Sequence, residues 1–133
     1  SVGKAGPMLK KLFYGLLSAT EVQELVEGLF FDSMPRDNVV GLRVEQLRDE
    51  GLKRRFLQAT ASDGSRWSRA RVSWHLPGGP EASAAILESG IRCDGDRCAC
   101  GRYGRGGYVA LSAAKANAYA GQDGEDGCRQ LFL

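Results

Sequence analysis

The stretch "GRYGRGGYVALSAAKANAY", Gly101–Tyr119, joins a glycine-rich turn to an apolar run and then to an alanine-rich segment between two tyrosines. The apolar run Gly107–Leu111 is typical of a strand, and Ser112 is placed to cap a short helix over residues 113–120. A dinucleotide-binding fingerprint has its glycines between a strand and a helix, whereas these glycines precede a strand, and the phosphate-loop pattern G-x4-G-K-[ST] is absent. The turn is therefore predicted to let backbone and ligand approach closely just before Tyr108, not to cradle phosphates.

The helix predicted after this turn has one face that combines small side chains with an aromatic ring. Ser112, Ala116 and Tyr119 lie four and three residues apart, so they share that face. The spacing predicts a helix face of small side chains that also carries the Tyr119 ring.

Three further helices are predicted from local signals. Ser18 and Glu21 have the spacing of a capping box, and the apolar residues that follow recur at helical intervals until Pro35. Gly90 is placed as a left-handed cap at the end of the last of these helices. The predicted helices cover residues 19–32, 50–58 and 81–89.

Alternation of apolar and polar residues predicts a strand from Arg69 to Leu76, with His75 near its end. Two other segments, 39–44 and 130–133, also have the composition of strands. Strands and helices are mixed without regular alternation of the two, which favours an α+β fold over a doubly wound sheet.

The composition is that of an ordinary globular protein of one domain. The chain has 133 residues, of which 43% are hydrophobic and 26% charged, and its net charge of +2 identifies no class of partner. Apolar runs are far shorter than the roughly 18 residues of a membrane span, and the N-terminus has no secretory pattern. We expect a flexible leader over residues 1–17, a domain over 18–133, no membrane partner and an intracellular location.

Four cysteines, Cys93, Cys98, Cys100 and Cys128, allow more than one interpretation. Three of them within eight positions are enough to ligate zinc, but the pair at 98 and 100 lacks the usual C-x2-C spacing, and His75 lies in a different context. Free thiols in a reducing compartment are favoured, and a metal site and a disulfide remain as alternatives. No metal is expected.

In the order and spacing of its motifs over about 115 residues, the chain resembles the poly(ADP-ribose) polymerase-like ADP-ribosyltransferase catalytic domain. The resemblance implies a mixed or antiparallel split β-sheet with short flanking helices, which lacks its last strands within this chain. It is carried by "EVQELVEGLF" (21–30), "VGLRVEQLRDEGLKRRF" (40–56), "WHLPGGPEASAAILESGIRC" (74–93), "YGRGGYVALSAAKANAYA" (103–120) and "CRQLFL" (128–133).

The family's site carries over residue by residue. By resemblance, His75 hydrogen-bonds the ribose hydroxyls of NAD, Tyr108 lines the nicotinamide site and Tyr119 stacks on the nicotinamide ring. Backbone at Leu76 and Gly107 completes the pocket. An aromatic face suits the cationic ring, at roughly 0.5 to 2 kcal/mol.

The chain departs from the family at three positions. Leu76 replaces the glycine whose backbone clamps the nicotinamide amide, and Ala116 replaces a helix serine that hydrogen-bonds the carboxamide, with Ser112 as a weak substitute. The third catalytic position of the family lies beyond Leu133.

The resemblance implies an NAD-dependent mono-ADP-ribosyltransferase that uses NAD as a substrate and modifies a protein or nucleic-acid acceptor. The alternative is a catalytically inactive member that serves as a protein or nucleic-acid interaction module. Pairing of an open strand edge with another chain is a further expectation. A nucleic-acid surface is not favoured over a solvated strand face for the basic and aromatic residues Arg66, Trp67, Arg69, Arg71, Trp74, Arg102, Tyr103 and Arg105.

Overall fold

The computed structural model describes residues 2–91, 100–101, 104–105, 107–119 and 127–133. The chain divides into two compact units, Ser1–Val72 and Ser73–Leu133. Among the described residues, no helix is long and apolar enough to cross a membrane. The helices are α1 (Val2–Phe13), α2 (Ala19–Phe31), a 3-10 helix (Arg36–Asn38), α3 (Glu50–Ala59), α4 (Ser65–Ser68), α5 (Pro80–Ser89) and α6 (Ala113–Asn117), and the strands are β1 (Cys100–Gly101) and β2 (Gly104–Arg105).

The prediction of an α+β, ADP-ribosyltransferase-like fold with a split β-sheet is wrong. Of the described residues, 50% are helical and 4% are in strands, and the described strands are the antiparallel pair β1 and β2, each two residues long. Residues 39–44, predicted as a strand, have no strand structure, and Val40 is fully exposed. An apolar alternating sequence suits an extended conformation, but it forms a sheet only where another segment supplies hydrogen-bond partners.

The predicted helices are confirmed close to their predicted bounds, in α2, α3 and α5. At the start of α2, the Ser18 hydroxyl accepts the Glu21 N–H at 3.2 Å and the Glu21 carboxylate accepts the Ser18 N–H at 3.0 Å, which completes the predicted capping box. The backbone N–H of Ser18, and after it the hydroxyl, hold the pKa of the Glu21 carboxyl below its ordinary value. Gly90 follows α5 with a φ of 78° and a ψ of −179°; the positive φ suits glycine, but this ψ lies outside the left-handed helical region, so the predicted left-handed cap is not formed.

The Ser18 cap makes a measurable contribution to stability. We expect Ser18→Ala to lower the free energy of unfolding by about 1 kcal/mol, because the Glu21 N–H loses its acceptor. Thr20→Ala, an exposed change two residues later, is the matched control and should have little effect. Urea unfolding of both variants at neutral pH tests this, and equal stabilities of the two variants would contradict it.

In the unit Ser1–Val72, helix α1 occupies the segment that was predicted to be a flexible leader. Its Phe13 ring lies within 5.2 Å, between ring centroids, of Tyr14, Phe56 and Trp67. We call these four residues the aromatic cluster. A Cβ on Gly6 would lie 3.1 Å from the Trp67 carbonyl oxygen, so glycine allows α1 to approach α4 closely. The partners of Phe13 in α3 and α4 are distant in sequence, so no local pattern indicates these contacts.

The unit Ser73–Leu133 contains α5, α6 and the short pair β1–β2. Its buried apolar side chains include Trp74, Ala110, Ala113 and Ala116. Ser112 caps α6, as predicted, by accepting the Lys115 N–H at 3.0 Å. Single antiparallel bridges at Trp74, His75, Ala110 and Phe132 are found where longer strands were predicted.

Candidate functional site

Three separate segments of the chain meet at Trp74 and His75. Trp74 and Ala110 exchange two backbone hydrogen bonds of 2.7 and 2.9 Å, and His75 and Phe132 exchange two of 2.9 Å. Each pair is antiparallel, so the segment with His75 lies between the segment that follows Tyr108 and the C-terminal segment. The histidine segment, the tyrosine segment and "CRQLFL" are thereby brought together.

The imidazole of His75 is held by the main chain of Tyr108. Its Nδ1 lies 2.8 Å from the Tyr108 carbonyl oxygen, in a half-buried position. Because a carbonyl oxygen only accepts hydrogen bonds, Nδ1 must carry the proton and donate it. In the neutral imidazole, Nε2 is then an acceptor, and no described residue hydrogen-bonds to it. Nε2 thus keeps its capacity to accept a hydrogen bond.

The two tyrosines of the predicted site differ in their surroundings. Tyr108 is half-buried, and its carbonyl contacts His75 as described. Tyr119 follows the end of α6, is 50% exposed, and stacks on no aromatic ring of the described residues. Its ring is accessible to a flat ligand, and its place in a nicotinamide site remains a prediction. Gly107, predicted to complete that site, is exposed.

The two positions that depart from the family are both accommodated in the structure. Leu76 is half-buried, and its φ is negative, as it is for every other described non-glycine residue. A leucine backbone therefore adopts this conformation without strain. Ala116 is 1% exposed, so its methyl group is covered by protein atoms. The Ser112 hydroxyl, the suggested substitute for the family's helix serine, is already used as the cap of α6.

The cysteines give no metal site within the described part of the chain. Cys93 and Cys98 lie outside the described residues, and only the backbone of Cys100 is described. Cys128 is exposed. No group of three His, Cys, Asp or Glu side chains in the described ranges is placed to hold a metal ion.

One contact near this site was not predicted from the sequence. Arg129 donates from Nη1 to the Asn117 carbonyl oxygen at 3.1 Å and to its side-chain oxygen at 3.3 Å. A basic side chain near a helix C-terminus is favourable, because the last carbonyls of a helix lack internal partners. Twelve residues separate the pair, so no local pattern indicates the contact.

Comparison of this chain with protein-family models, with curated proteins and with solved structures gave no match. The residues that meet at His75 are therefore interpreted from their own chemistry and from the motifs quoted above.

Proposed function

We propose that the chain binds NAD at His75 and transfers ADP-ribose to a protein acceptor with release of nicotinamide, as a mono-ADP-ribosyltransferase. The observation that carries the proposal is the hydrogen bond of 2.8 Å between His75 Nδ1 and the Tyr108 carbonyl. This hydrogen bond joins His75 and Tyr108, the two residues to which the resemblance assigns the ribose and nicotinamide contacts. They are 33 positions apart in sequence. It also leaves His75 Nε2 as the group that can meet a ribose hydroxyl.

The chemistry asked of these residues is orientation and electrostatic stabilisation. The bond between ribose C1′ and the pyridinium nitrogen breaks, and its electron pair neutralises the ring as nicotinamide leaves. The acceptor side chain then forms a bond to C1′ and loses a proton. His75 Nε2 accepts a hydrogen bond from a ribose hydroxyl and fixes the sugar for this displacement. The Tyr108 and Tyr119 rings are the proposed surfaces for the cationic ring before it leaves.

The backbone at Leu76 supports this proposal in one respect. A clamp on the nicotinamide amide needs only main-chain N–H and C=O groups, which leucine also has. A backbone that required a positive φ at this position would be strained by about 1 to 3 kcal/mol with any residue but glycine. Leu76 has no such φ, so the substitution does not by itself remove the clamp.

Binding and transfer are tested separately with NAD. Calorimetric titration of the whole chain should give saturable binding at NAD concentrations up to about 1 mM, near −4 kcal/mol in binding free energy. Incubation with NAD labelled in its adenylate should then place label on protein and release nicotinamide in equal amounts. Labelled free ADP-ribose is the control for non-enzymatic addition to lysines. Absence of transfer, with or without binding, would contradict the proposal.

A second candidate function is a non-catalytic interaction module. It is favoured by Ala116, whose 1% exposure leaves no room for the hydroxyl contact of the family serine. In that case, NAD binding without transfer, or no NAD binding at all, is the expected result. Retained transfer would exclude the module.

A further inference from the structure

A basic groove lies in the unit Ser1–Val72, between the end of α3 and the segment after α4. It is an open depression of about 320 Å³ whose lining surface is mainly apolar, and the residues that line it are Phe56, Thr60, Ala61, Ser65, Arg66, Arg69, Ala70 and Arg71. We call it the basic groove.

Basic side chains outnumber acidic ones in the segment that contains this groove, where Asp63 is the single carboxylate and interacts electrostatically with Arg66. Residues 53–71 contain six basic side chains and one acidic one, a net charge of +5 in a chain whose total is +2. The described ion pairs are Arg43 with Glu45 and Lys53 with Glu50, and neither involves a groove arginine. A segment with a net positive charge of this size attracts polyanions, whose counterions are released on binding.

Two of the three guanidinium groups, those of Arg66 and Arg71, are held by hydrogen bonds before any ligand binds. Arg66 donates from Nε to the Thr60 hydroxyl at 2.8 Å and from Nη2 to the Leu57 carbonyl at 3.1 Å. Arg71 donates from Nη1 to the Arg69 and Ala70 carbonyls, both at 3.2 Å. Ordering these side chains in advance lowers the entropic cost of binding. A planar guanidinium matches phosphate oxygens in a forked geometry.

An aromatic ring lies among these arginines. Phe56 is 36% exposed, and its other contacts hold it within the aromatic cluster, 5.2 Å from Phe13 between ring centroids. A ring that is partly exposed and held by its neighbours is a surface on which a nucleic-acid base can stack. An acidic peptide offers no such flat face. A membrane-binding surface needs apolar side chains that project outward, whereas this apolar surface lies in a depression.

We propose that the basic groove binds single-stranded nucleic acid, with phosphates at Arg66, Arg69 and Arg71 and one base against Phe56. A duplex hides the faces of its bases, which is why a single strand fits this surface better. The proposal does not depend on NAD chemistry at His75.

Fluorescence anisotropy with labelled single strands of about 12 nucleotides tests this site. The double variant Arg69→Glu with Arg71→Glu should weaken binding at least about tenfold and lower the slope of log K against log salt by about 1.4, since two phosphate contacts are lost. Both side chains are exposed, so the fold should persist, and thermal unfolding checks this. Arg43→Glu with Arg48→Glu makes the same change in net charge at exposed positions outside the groove and should have a much smaller effect.

Three results would overturn the proposal. The first is equal loss of binding in the two double variants, since a general charge effect would then explain the affinity. The second is tighter binding of the duplex form of the same oligonucleotide. The third is binding of polyglutamate or of anionic lipid vesicles as tight as that of the single strand at the same salt concentration.

Discussion

Replacing His75 with asparagine is expected to leave the chain folded and to reduce ADP-ribose transfer at least about 100-fold, through loss of the Nε2 contact that orients the ribose. The amide N–H of asparagine is close to the position of the imidazole Nδ1–H. It can therefore still donate to the Tyr108 carbonyl, which His75 contacts at 2.8 Å. Asparagine has no group at the position of Nε2. The variant thus separates the contact of Nδ1 with the Tyr108 carbonyl from the proposed contact of Nε2 with the ribose.

Two comparison variants distinguish loss of transfer from loss of stability. His75→Phe keeps a ring of similar size but leaves the Tyr108 carbonyl without its donor, so it should lose both transfer and about 1 kcal/mol of stability. Glu81→Gln, an exposed change in the first turn of α5, should change neither. Transfer is measured with adenylate-labelled NAD, and stability by thermal unfolding. Near-normal transfer by the asparagine variant would show that Nε2 takes no part in the reaction.

The sequence predicted those elements whose signals are local. The capping box of Ser18 and Glu21 and the cap at Ser112 each involve residues within a few positions of one another, and the structure confirms both. Such patterns act through backbone groups of a single helical turn. Their outcome therefore depends little on the rest of the chain.

The sheet could not be predicted in the same way. In the segment 69–76, buried and exposed side chains alternate much as the sequence indicates. Val72 and Trp74 are buried, and Arg69 and Arg71 are exposed. Its hydrogen bonds depend on partners 36 and 57 positions away, at Ala110 and Phe132, and these pair with it at single residues only. Apolar alternation specifies which face is covered, but not which segment lies alongside.

The contact at the candidate site was also beyond the reach of sequence patterns. The resemblance predicts that His75 and Tyr108 serve one site through their side chains. The structure joins them through the main-chain carbonyl of Tyr108, a group that every residue type has. No amino-acid type in the sequence can indicate such a contact, although it determines which imidazole nitrogen carries the proton.

The aromatic cluster supports the second large prediction, which concerns stability. The Phe13 ring lies 5.1 to 5.2 Å from three other aromatic rings, and Lys53 Nζ lies 5.4 Å from its centroid. Phe13 is thus the residue of α1 through which this helix contacts both α3 and α4. Removing a half-buried ring loses its apolar burial and its edge-to-face contacts together.

We expect Phe13→Ala to lower the free energy of unfolding by about 3 kcal/mol and to release α1 from the unit Ser1–Val72. Release exposes the backbone after Lys10 and Lys11, so limited trypsin digestion should cut there much faster than in the unchanged chain. Phe31→Ala is the matched control, because Phe31 is also half-buried but contacts Phe30 and Arg36 and lies outside the aromatic cluster. It should reduce stability without faster cleavage at Lys10 and Lys11. If both variants release α1 equally, the helix is held by the general stability of the unit and not by the Phe13 ring.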